Sequence, residues 1–263
     1  MSRNNPIGIL DSGIGGLTIW REIERLLPNE SILYIGDQAY QPYGGKSVYV
    51  IRQRVKRLIS FLLRKDVKLI VIGCNTATVA GIDTYRTWFP AVPIIGVVPV
   101  VKTAASITKT KHVAVISTPY TASSSYQKRL IRSFANGCTI ENIGVPDLAA
   151  IIEQGKTGGW GTAILHRYLD PIMKKNIDVL VLGCTHYPFI KETIQTVVGK
   201  GVAVIDSGGA VARHTARILD ANKLRGREGK PYTVFYTTGN ARNVTRIASK
   251  LIGEPITFIY VRV

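Results

Sequence analysis

The chain has 263 residues, of which 46% are apolar and 19% charged, and its net charge is +17. These proportions exclude a disordered or a fibrous protein. Only three cysteines occur, at long spacings, which excludes a disulfide scaffold and a CxxC zinc framework. No apolar stretch approaches the ~18 residues of a membrane-spanning helix, and the first residues lack the apolar core of a signal peptide. We expect a cytoplasmic, enzyme-sized globular protein that does not bind a membrane.

Short apolar strands alternate with helices along the first part of the chain. The predicted strands are Ile7–Leu10, Ile32–Ile35 and Leu69–Ile72. Apolar residues recur between Leu17 and Leu27 at helical spacing, and Pro28 ends that predicted helix. Continuous apolar strands separated by helices are typical of a parallel sheet with both faces covered.

A strongly basic helix is predicted between the second and third strands. Eight Lys or Arg residues and one acid, Asp66, lie between Lys46 and Lys68, and apolar residues recur there at helical spacing. A solvated helix surface is the favoured interpretation. Nucleic-acid binding is the alternative, but the sequence has no recognised RNA-binding or DNA-binding motif, so we do not expect it as the main function. The charge could also steer a small anionic substrate.

The same order of elements begins again in the second half of the chain. Three pairs of segments match: Ile9–Ser12 with Val115–Thr118 at an offset of 106, Ile35–Gly36 with Ile143–Gly144 at 108, and Val71–Cys74 with Val181–Cys184 at 110. A slowly growing offset indicates a duplicated unit with small insertions, and the period is too long for a solenoid.

The repeat predicts an α/β protein of two similar lobes, each a parallel sheet flanked by helices. We expect a pseudo-twofold relation between the lobes, with the active site in the cleft between them. The chain is expected to return to the first lobe through Val202–Ile205 and the last stretch, Thr233–Val263. The lobe bounds are drawn differently at that strand: the first lobe is placed at residues 1–98 plus 208–263, and the second, which then contains Val202–Ile205, at 99–207.

Cys74 and Cys184 occupy equivalent positions in the repeat, each after a buried strand and before a predicted helix. Ligands of open α/β sheets bind at these strand ends, and a helix N-terminus favours a thiolate. A single cysteine at such a position is most often an ordinary buried residue. The matched pair favours a functional interpretation, with both thiols facing one cleft. Cys138 is interpreted as structural.

Two opposed thiols suit the inversion of a stereocentre next to a carboxylate. This reaction needs a base on one face of the carbon and an acid on the other, and the two exchange roles in the reverse direction. Donors must also stabilise the charge that develops on the substrate. Asn75-Thr76 and Thr185-His186 follow the two cysteines and provide such donors. The other three histidines are interpreted as structural.

A glycine-rich turn follows the first strand. Gly13-Ile14-Gly15-Gly16 is similar to a dinucleotide fingerprint, but Thr18 stands where the third glycine is needed. A nucleotide-binding module is therefore disfavoured. The turn could instead let a small ligand approach the backbone, with Asp11 and Ser12 contacting it. Asp11 is equally compatible with a helix-entry cap.

Several segments together resemble the glutamate racemases of the aspartate/glutamate racemase family, and the resemblance covers nearly the whole chain. They are Ile7–Leu17, Pro42–Gly44 with Lys46-Ser47, Cys74–Ala77, Gly183–Pro188 and Asp206–Gly208. The resemblance implies two α/β lobes and a two-base racemisation of glutamate, without pyridoxal phosphate, another cofactor or a metal. It also implies a role in supplying D-glutamate for peptidoglycan.

The resemblance also implies roles for individual residues. Cys74 would take the proton from D-glutamate and Cys184 from L-glutamate, with Asp11 and His186 assisting. The substrate would be held by Asp11, Ser12, Tyr43, Gly44, Asn75, Thr76, Thr118, Thr121, Thr185 and His186. Asp37 and Glu153 match acidic positions that the family keeps near the site.

Two departures and two alternatives accompany the resemblance. Gln38-Ala39-Tyr40 stands where the family usually has Thr-Ala-Arg, and Gly96–Pro99 lacks a common Glu-Pro, which puts assembly and regulation in doubt rather than chemistry. An aspartate racemase or another two-cysteine relative is the alternative function, although Thr185-His186 favours glutamate. A monomer and a homodimer are both open.

Overall fold

A computed structural model describes residues 2–157, 159–226 and 230–263. The predicted lobe bounds also include residues 1, 158 and 227–229, which lie outside these ranges. The strands are β1 (Ile7–Asp11), β2 (Ile32–Gly36), β3 (Leu69–Ile72), β4 (Ile94–Gly96), β5 (His112–Ser117), β6 (Thr139–Gly144), β7 (Val179–Leu182), β8 (Ala203–Ile205), β9 (Thr233–Thr237) and β10 (Phe258–Tyr260).

Helices cover the sheets between these strands. They are α1 (Leu17–Leu26), α2 (Val48–Leu63), α3 (Asn75–Trp88), α4 (Val101–Ile107), α5 (Pro119–Ser123), α6 (Ser125–Phe134), α7 (Leu148–Glu153), α8 (Gly159–Met173), α9 (Lys191–Val198), α10 (Gly208–Ala221) and α11 (Ala241–Ile252). Short 3-10 helices span Gln38–Tyr40, Tyr43–Gly45 and Tyr187–Ile190. Within the described ranges, no helix is both long and apolar enough to cross a membrane.

The strands form two parallel sheets. The six-stranded sheet has the order β10-β9-β2-β1-β3-β4, and the four-stranded sheet has the order β6-β5-β7-β8. The order β2-β1-β3-β4 is the same as β6-β5-β7-β8, as a duplicated unit requires. The predicted α/β fold with two flanked parallel sheets is confirmed.

The expected return of the strand at Val202–Ile205 to the first lobe is wrong. This strand is β8, and it pairs in parallel with β7 in the four-stranded sheet. The reason is its connection: α9 carries the chain from β7 back over the sheet, so the next strand is laid beside β7. The chain leaves this sheet only after β8, where α10 packs against α1.

The basic segment forms α2 as predicted, and its apolar side explains why it is a helix. Ile51, Val55, Leu58, Ile59 and Leu62 are all fully buried against the six-stranded sheet. Ser47 caps the helix by accepting a hydrogen bond from the Val50 amide. The eight basic residues of the segment divide by exposure: Lys56, Arg57, Arg64 and Lys65 are exposed, as a solvated surface requires. Lys46 and Arg52 are half-buried, and Arg54 and Lys68 are buried in ion pairs with Asp37 and Glu30.

A buried ion pair anchors the start of the six-stranded sheet. The Lys68 ammonium, just before β3, contacts the Glu30 carboxylate, just before β2, and both side chains are buried. Glu30 also accepts a hydrogen bond from the Gly226 amide at 2.8 Å. Removal of one partner of such a pair leaves an unpaired charge in the interior.

We therefore expect Lys68→Met to lower the free energy of unfolding by about 3–5 kcal/mol. The double variant Lys68→Met/Glu30→Gln should recover most of this loss, because it leaves no uncompensated charge. Urea denaturation of the wild type, both single variants and the double variant would measure the coupling. A Lys68→Met protein as stable as the wild type would contradict this account.

Candidate active site

Cys74 and Cys184 line the same small cavity at the carboxyl ends of the two sheets. Cys74 follows β3 of the six-stranded sheet and Cys184 follows β7 of the four-stranded sheet. Both are largely buried free thiols. The topology therefore brings together two residues that are 110 positions apart in the sequence.

Cys74 is the N-cap of α3. Its Sγ accepts a hydrogen bond from the Ala77 amide at 3.4 Å and lies 3.6 Å from Ser12 Oγ. Burial and the nearby Asp11 carboxylate raise the pKa of the Cys74 thiol, more than the Ala77 and Ser12 contacts lower it. Cys74 is therefore a protonated thiol at neutral pH. If it loses its proton, the N-terminus of α3 stabilises the negative charge on Sγ.

The helix start expected directly after Cys184 is wrong. A 3-10 helix over Tyr187–Ile190 follows it, and α9 begins only at Lys191. Pro188 has no amide hydrogen and restricts the residue before it, so an α-helix does not start at the thiol.

A histidine side chain takes the place of a helix N-terminus at Cys184. Cys184 Sγ lies 3.8 Å from His186 Nδ1, and His186 Nε2 lies 2.6 Å from Glu153 Oε2. Burial lowers the pKa of His186, but the contacts with Cys184 and Glu153 outweigh it and hold this pKa well above its ordinary value. The cation beside Cys184 Sγ can stabilise a thiolate or return a proton to it.

Asp11 lies behind the cavity. Its carboxylate is fully buried and accepts hydrogen bonds from the Gly13 amide at 2.9 Å, Ser12 Oγ at 3.0 Å and Thr185 Oγ1 at 3.0 Å. Burial raises the pKa of Asp11, against the opposing effect of the nearby His186 charge. Asp11 thus connects the glycine-rich turn after β1 with Thr185, which follows β7. Its contact with a ligand stays a prediction.

The predicted binding residues divide into those that line the cavity and those that support it. The lining residues are Ser12, Tyr43, Gly44, Asn75, Thr76, Thr118, Thr185 and His186, together with Gln41, Pro42 and Ala149, which were not predicted as site residues. Thr121 supports the wall, because its hydroxyl lies 3.0 Å from that of Thr118 and 3.4 Å from that of Thr76. Sequence reasoning had no signal for Gln41 or Ala149, because neither lies in a segment that carries the resemblance.

Asn75 presents an unused donor at the cavity wall. Its side chain is buried, and within the described ranges its Nδ2 has no hydrogen-bond partner. A buried donor without an acceptor is costly unless a ligand or water completes it. The neighbouring Thr76 and Thr118 hydroxyls, 3.0 Å apart, add two further groups. The wall is therefore suited to an anionic oxygen such as a carboxylate.

Asp37 supports the cavity through Tyr43 and does not line it. Its carboxylate accepts hydrogen bonds from Arg54 at 2.8 and 3.0 Å and from the Tyr43 hydroxyl at 2.7 Å. The Arg54 guanidinium also stacks on the Tyr40 ring, 3.8 Å from its centre. Burial and the Asp37 charge raise the pKa of Tyr43, so its hydroxyl stays protonated and oriented toward Asp37.

The turn after β1 is rich in glycine because it lies in close contact with residues of the second half of the chain. A Cβ on Gly13 would lie 2.6 Å from Glu153 Cδ, and one on Gly15 would lie 2.7 Å from Thr185 Oγ1 and closer still to His186 Nδ1. The Ile14 amide between them donates to Glu153 Oε2 at 2.9 Å. These glycines therefore permit the two halves of the cavity to meet.

Glu153→Gln tests the ion pair behind Cys184. We expect the pKa of His186 to fall, because the variant removes a contact that raises it while burial still lowers it. The pKa of His186 is raised in the folded protein, so the protonated imidazole stabilises the fold. This contribution to the free energy of unfolding is complete below the pKa of an unfolded histidine and is lost as the pH rises through the raised pKa. The loss of stability in Glu153→Gln should thus be largest between the ordinary pKa of a glutamate and that of an unfolded histidine, and it should shrink as the pH rises through the raised pKa of His186.

The measurement is an NMR titration of the His186 imidazole, combined with urea denaturation at several pH values. Glu192→Gln, the same chemical change on the exposed side of α9, is the matched control. A His186 titration that is the same in Glu153→Gln and the wild type would contradict the assigned pair.

Comparisons with known proteins match nearly the whole chain. The Asp/Glu/Hydantoin racemase family profile matches residues 7–215. A glutamate racemase of Pseudomonas paraeruginosa is 40% identical over 250 residues, 95% of this chain and 94% of that protein.

Two solved structures have the same fold. A glutamate racemase of Francisella tularensis in complex with D-glutamate has a TM-score of 0.86 and 32% identity, covering 99% of this chain and 98% of that one. An Escherichia coli glutamate racemase in complex with L-glutamate has a TM-score of 0.85 and 30% identity, covering 97% of both chains. The chain therefore belongs to the Asp/Glu/hydantoin racemase family of isomerases.

Proposed function

We propose that the chain interconverts L-glutamate and D-glutamate, with Cys74 and Cys184 as the two acid–base groups. One observation carries the proposal: two buried thiols from different sheets line one cavity whose wall presents an unused amide donor. Relatives with bound D-glutamate and bound L-glutamate support the substrate. The physiological role would be the supply of D-glutamate for peptidoglycan in the cytoplasm.

The proposed reaction moves one proton off Cα and another onto it. In the L-to-D direction, the Cys184 thiolate removes the Cα proton, and the resulting carbanion takes a proton from the Cys74 thiol on the opposite face. The product is D-glutamate, and the enzyme is left with a Cys184 thiol and a Cys74 thiolate. The reverse direction uses the same groups with exchanged roles.

The surroundings of the two thiols suit the start of the L-to-D direction. The raised pKa of Cys74 keeps its proton available for donation, while the protonated His186 lies beside Cys184 Sγ. After the transfer, the Ala77 amide and Ser12 can stabilise the charge on Cys74. His186 and Asp11 would act as assisting groups, and Glu153 would hold the imidazole.

The cavity wall would bind the charged groups of the substrate. Asn75 Nδ2 and the Thr76 and Thr118 hydroxyls would donate to one carboxylate, and the Ser12 and Thr185 side chains would hold the amino-acid end. Tyr43 and Gly44 would close the opposite wall. Donors that strengthen as charge builds up near Cα would lower the barrier to proton removal.

The two-thiol proposal is tested with substrate in heavy water and no added cofactor. Proton NMR follows the exchange of the Cα hydrogen, and circular dichroism follows the loss of optical activity. We expect wild type to racemise L-glutamate and to introduce deuterium at Cα. Cys74→Ser and Cys184→Ser should each lose at least about 10²-fold in racemisation, because each removes one acid–base group.

Cys138→Ser is the matched control, since Cys138 lies outside the cavity lining, and it should retain wild-type activity. Aspartate is run in parallel, because an aspartate racemase is the alternative. Exchange of aspartate with inert glutamate would replace the substrate and keep the mechanism. A folded protein that exchanges neither amino acid would overturn the proposal.

Gly15→Ala tests the close contact between the glycine turn and the Cys184 side. The added methyl group should displace His186 or Thr185, and a displacement near 1 Å costs about 10²-fold in rate. Gly201→Ala is the control, because a Cβ there meets nothing within 4 Å. Initial racemisation rates of both variants, compared at equal folded concentration, measure the effect. Equal rates for Gly15→Ala and wild type would contradict it.

A further inference from the structure

Gln38, at the start of the 3-10 helix after β2, occupies a slot between two glycines. A Cβ on Gly36 would lie 2.6 Å from Gln38 Oε1, and one on Gly239 would lie 2.7 Å from Gln38 Cβ. Real Cβ atoms do not approach so closely, so both flanking residues must be glycine for the Gln38 side chain to lie here. The long amide side chain is therefore held by the surrounding backbone.

Hydrogen bonds determine which way the Gln38 amide points. The Gly239 amide donates to Thr237 Oγ1 at 2.9 Å, and Thr237 Oγ1 in turn donates to Gln38 Oε1 at 2.6 Å. Because Oε1 is engaged by this hydroxyl, Nε2 is directed to the other side. There it donates to Glu153 Oε1 at 3.4 Å.

Glu153 therefore receives three donors from two halves of the protein. The Ile14 amide and Gln38 Nε2 come from the six-stranded-sheet side, and His186 Nε2 comes from the four-stranded-sheet side. Gln38 also lines an outer cavity together with Glu153 and Gln154. It thus contacts the carboxylate on the side away from His186.

We propose that Gln38 is a positioning residue for the Glu153–His186 pair, and through it for proton transfer at Cys184. The inference rests on the proposed function above. The Ile14 amide contacts both oxygens of the Glu153 carboxylate, at 3.2 and 2.9 Å, and the Gln38 donor on Oε1 keeps Oε2 turned toward His186 Nε2. With Nε2 held, the imidazole presents Nδ1 to Cys184 Sγ, 3.8 Å away. Within the described ranges, the Cys74 thiol makes its hydrogen bonds with Ser12 and Ala77 and none with Gln38, Glu153 or His186, so the effect should fall on one of the two proton transfers.

An effect confined to Cys184 has a distinct kinetic signature. The equilibrium constant of a racemisation is 1, so kcat/KM must fall equally for both enantiomers. The primary deuterium isotope effects, however, should move in opposite directions. With 2-deuterio-L-glutamate, Cys184 breaks the labelled bond, and this step becomes more rate-limiting. With 2-deuterio-D-glutamate, Cys74 breaks the labelled bond, and this step becomes less rate-limiting.

The test compares Gln38→Met with wild type, using both deuterated enantiomers. We expect kcat/KM to fall about tenfold, the loss typical of one hydrogen bond to a charged group. The isotope effect on kcat/KM should rise for L-glutamate and fall for D-glutamate. Thr237→Val should shift the isotope effects in the same directions, and Thr237→Ser, which keeps the hydroxyl, should restore wild-type values.

Gln154→Met is the matched control, because Gln154 lines the same outer cavity and its side chain is exposed. A partly unfolded Gln38→Met sample would lower the active fraction and leave the isotope effects unchanged. Unchanged isotope effects in Gln38→Met, whether or not the rate falls, would therefore overturn the inference. A wild type that does not racemise glutamate would instead overturn the proposed function, so the two failures are distinguishable.

Discussion

The contact of the glycine turn with Glu153 is the constraint on which the rest of the site depends. Gly13 and Gly15 allow the turn after β1 to touch Glu153, Thr185 and His186, and the Ile14 amide binds the carboxylate directly. This approach holds the turn after β1 against the residues that follow Cys184. A larger side chain on either glycine would collide with Glu153, Thr185 or His186.

The two halves of the cavity are similar in topology but different in electrostatics. Cys74 caps α3, and its burial together with the nearby Asp11 carboxylate raises the pKa of its thiol. Cys184 has no α-helix start beside it and is served by a histidine–glutamate pair. The duplicated strand order thus places two thiols at equivalent points, but the groups around the two thiols differ: a helix N-terminus and Ser12 lie beside Cys74, and an imidazole lies beside Cys184.

Much of the fold could be predicted because the signals are local. Leu69–Ile72 and Val179–Leu182 are continuous apolar runs, and both are strands with those bounds. The pairing of β8 could not be predicted in this way, since a three-residue strand carries little pattern and its sheet is decided by the crossover before it. The missing helix start after Cys184 did have a local signal, Pro188, which the analogy with Cys74 obscured.

The sequence by itself determined the parallel α/β class, the repeat, and the equivalence of Cys74 and Cys184, because periodicity and strand-end position are properties of neighbouring residues. Tertiary structure alone decided which distant side chains meet. Glu153 accepts hydrogen bonds from Ile14, 139 positions away, and from Gln38, 115 positions away. Asp11 lies behind the cavity wall, where it accepts a hydrogen bond from Thr185. Such contacts depend on how the strand ends of two sheets face each other and on side-chain geometry within a few ångströms, and no local pattern along the chain encodes either distance.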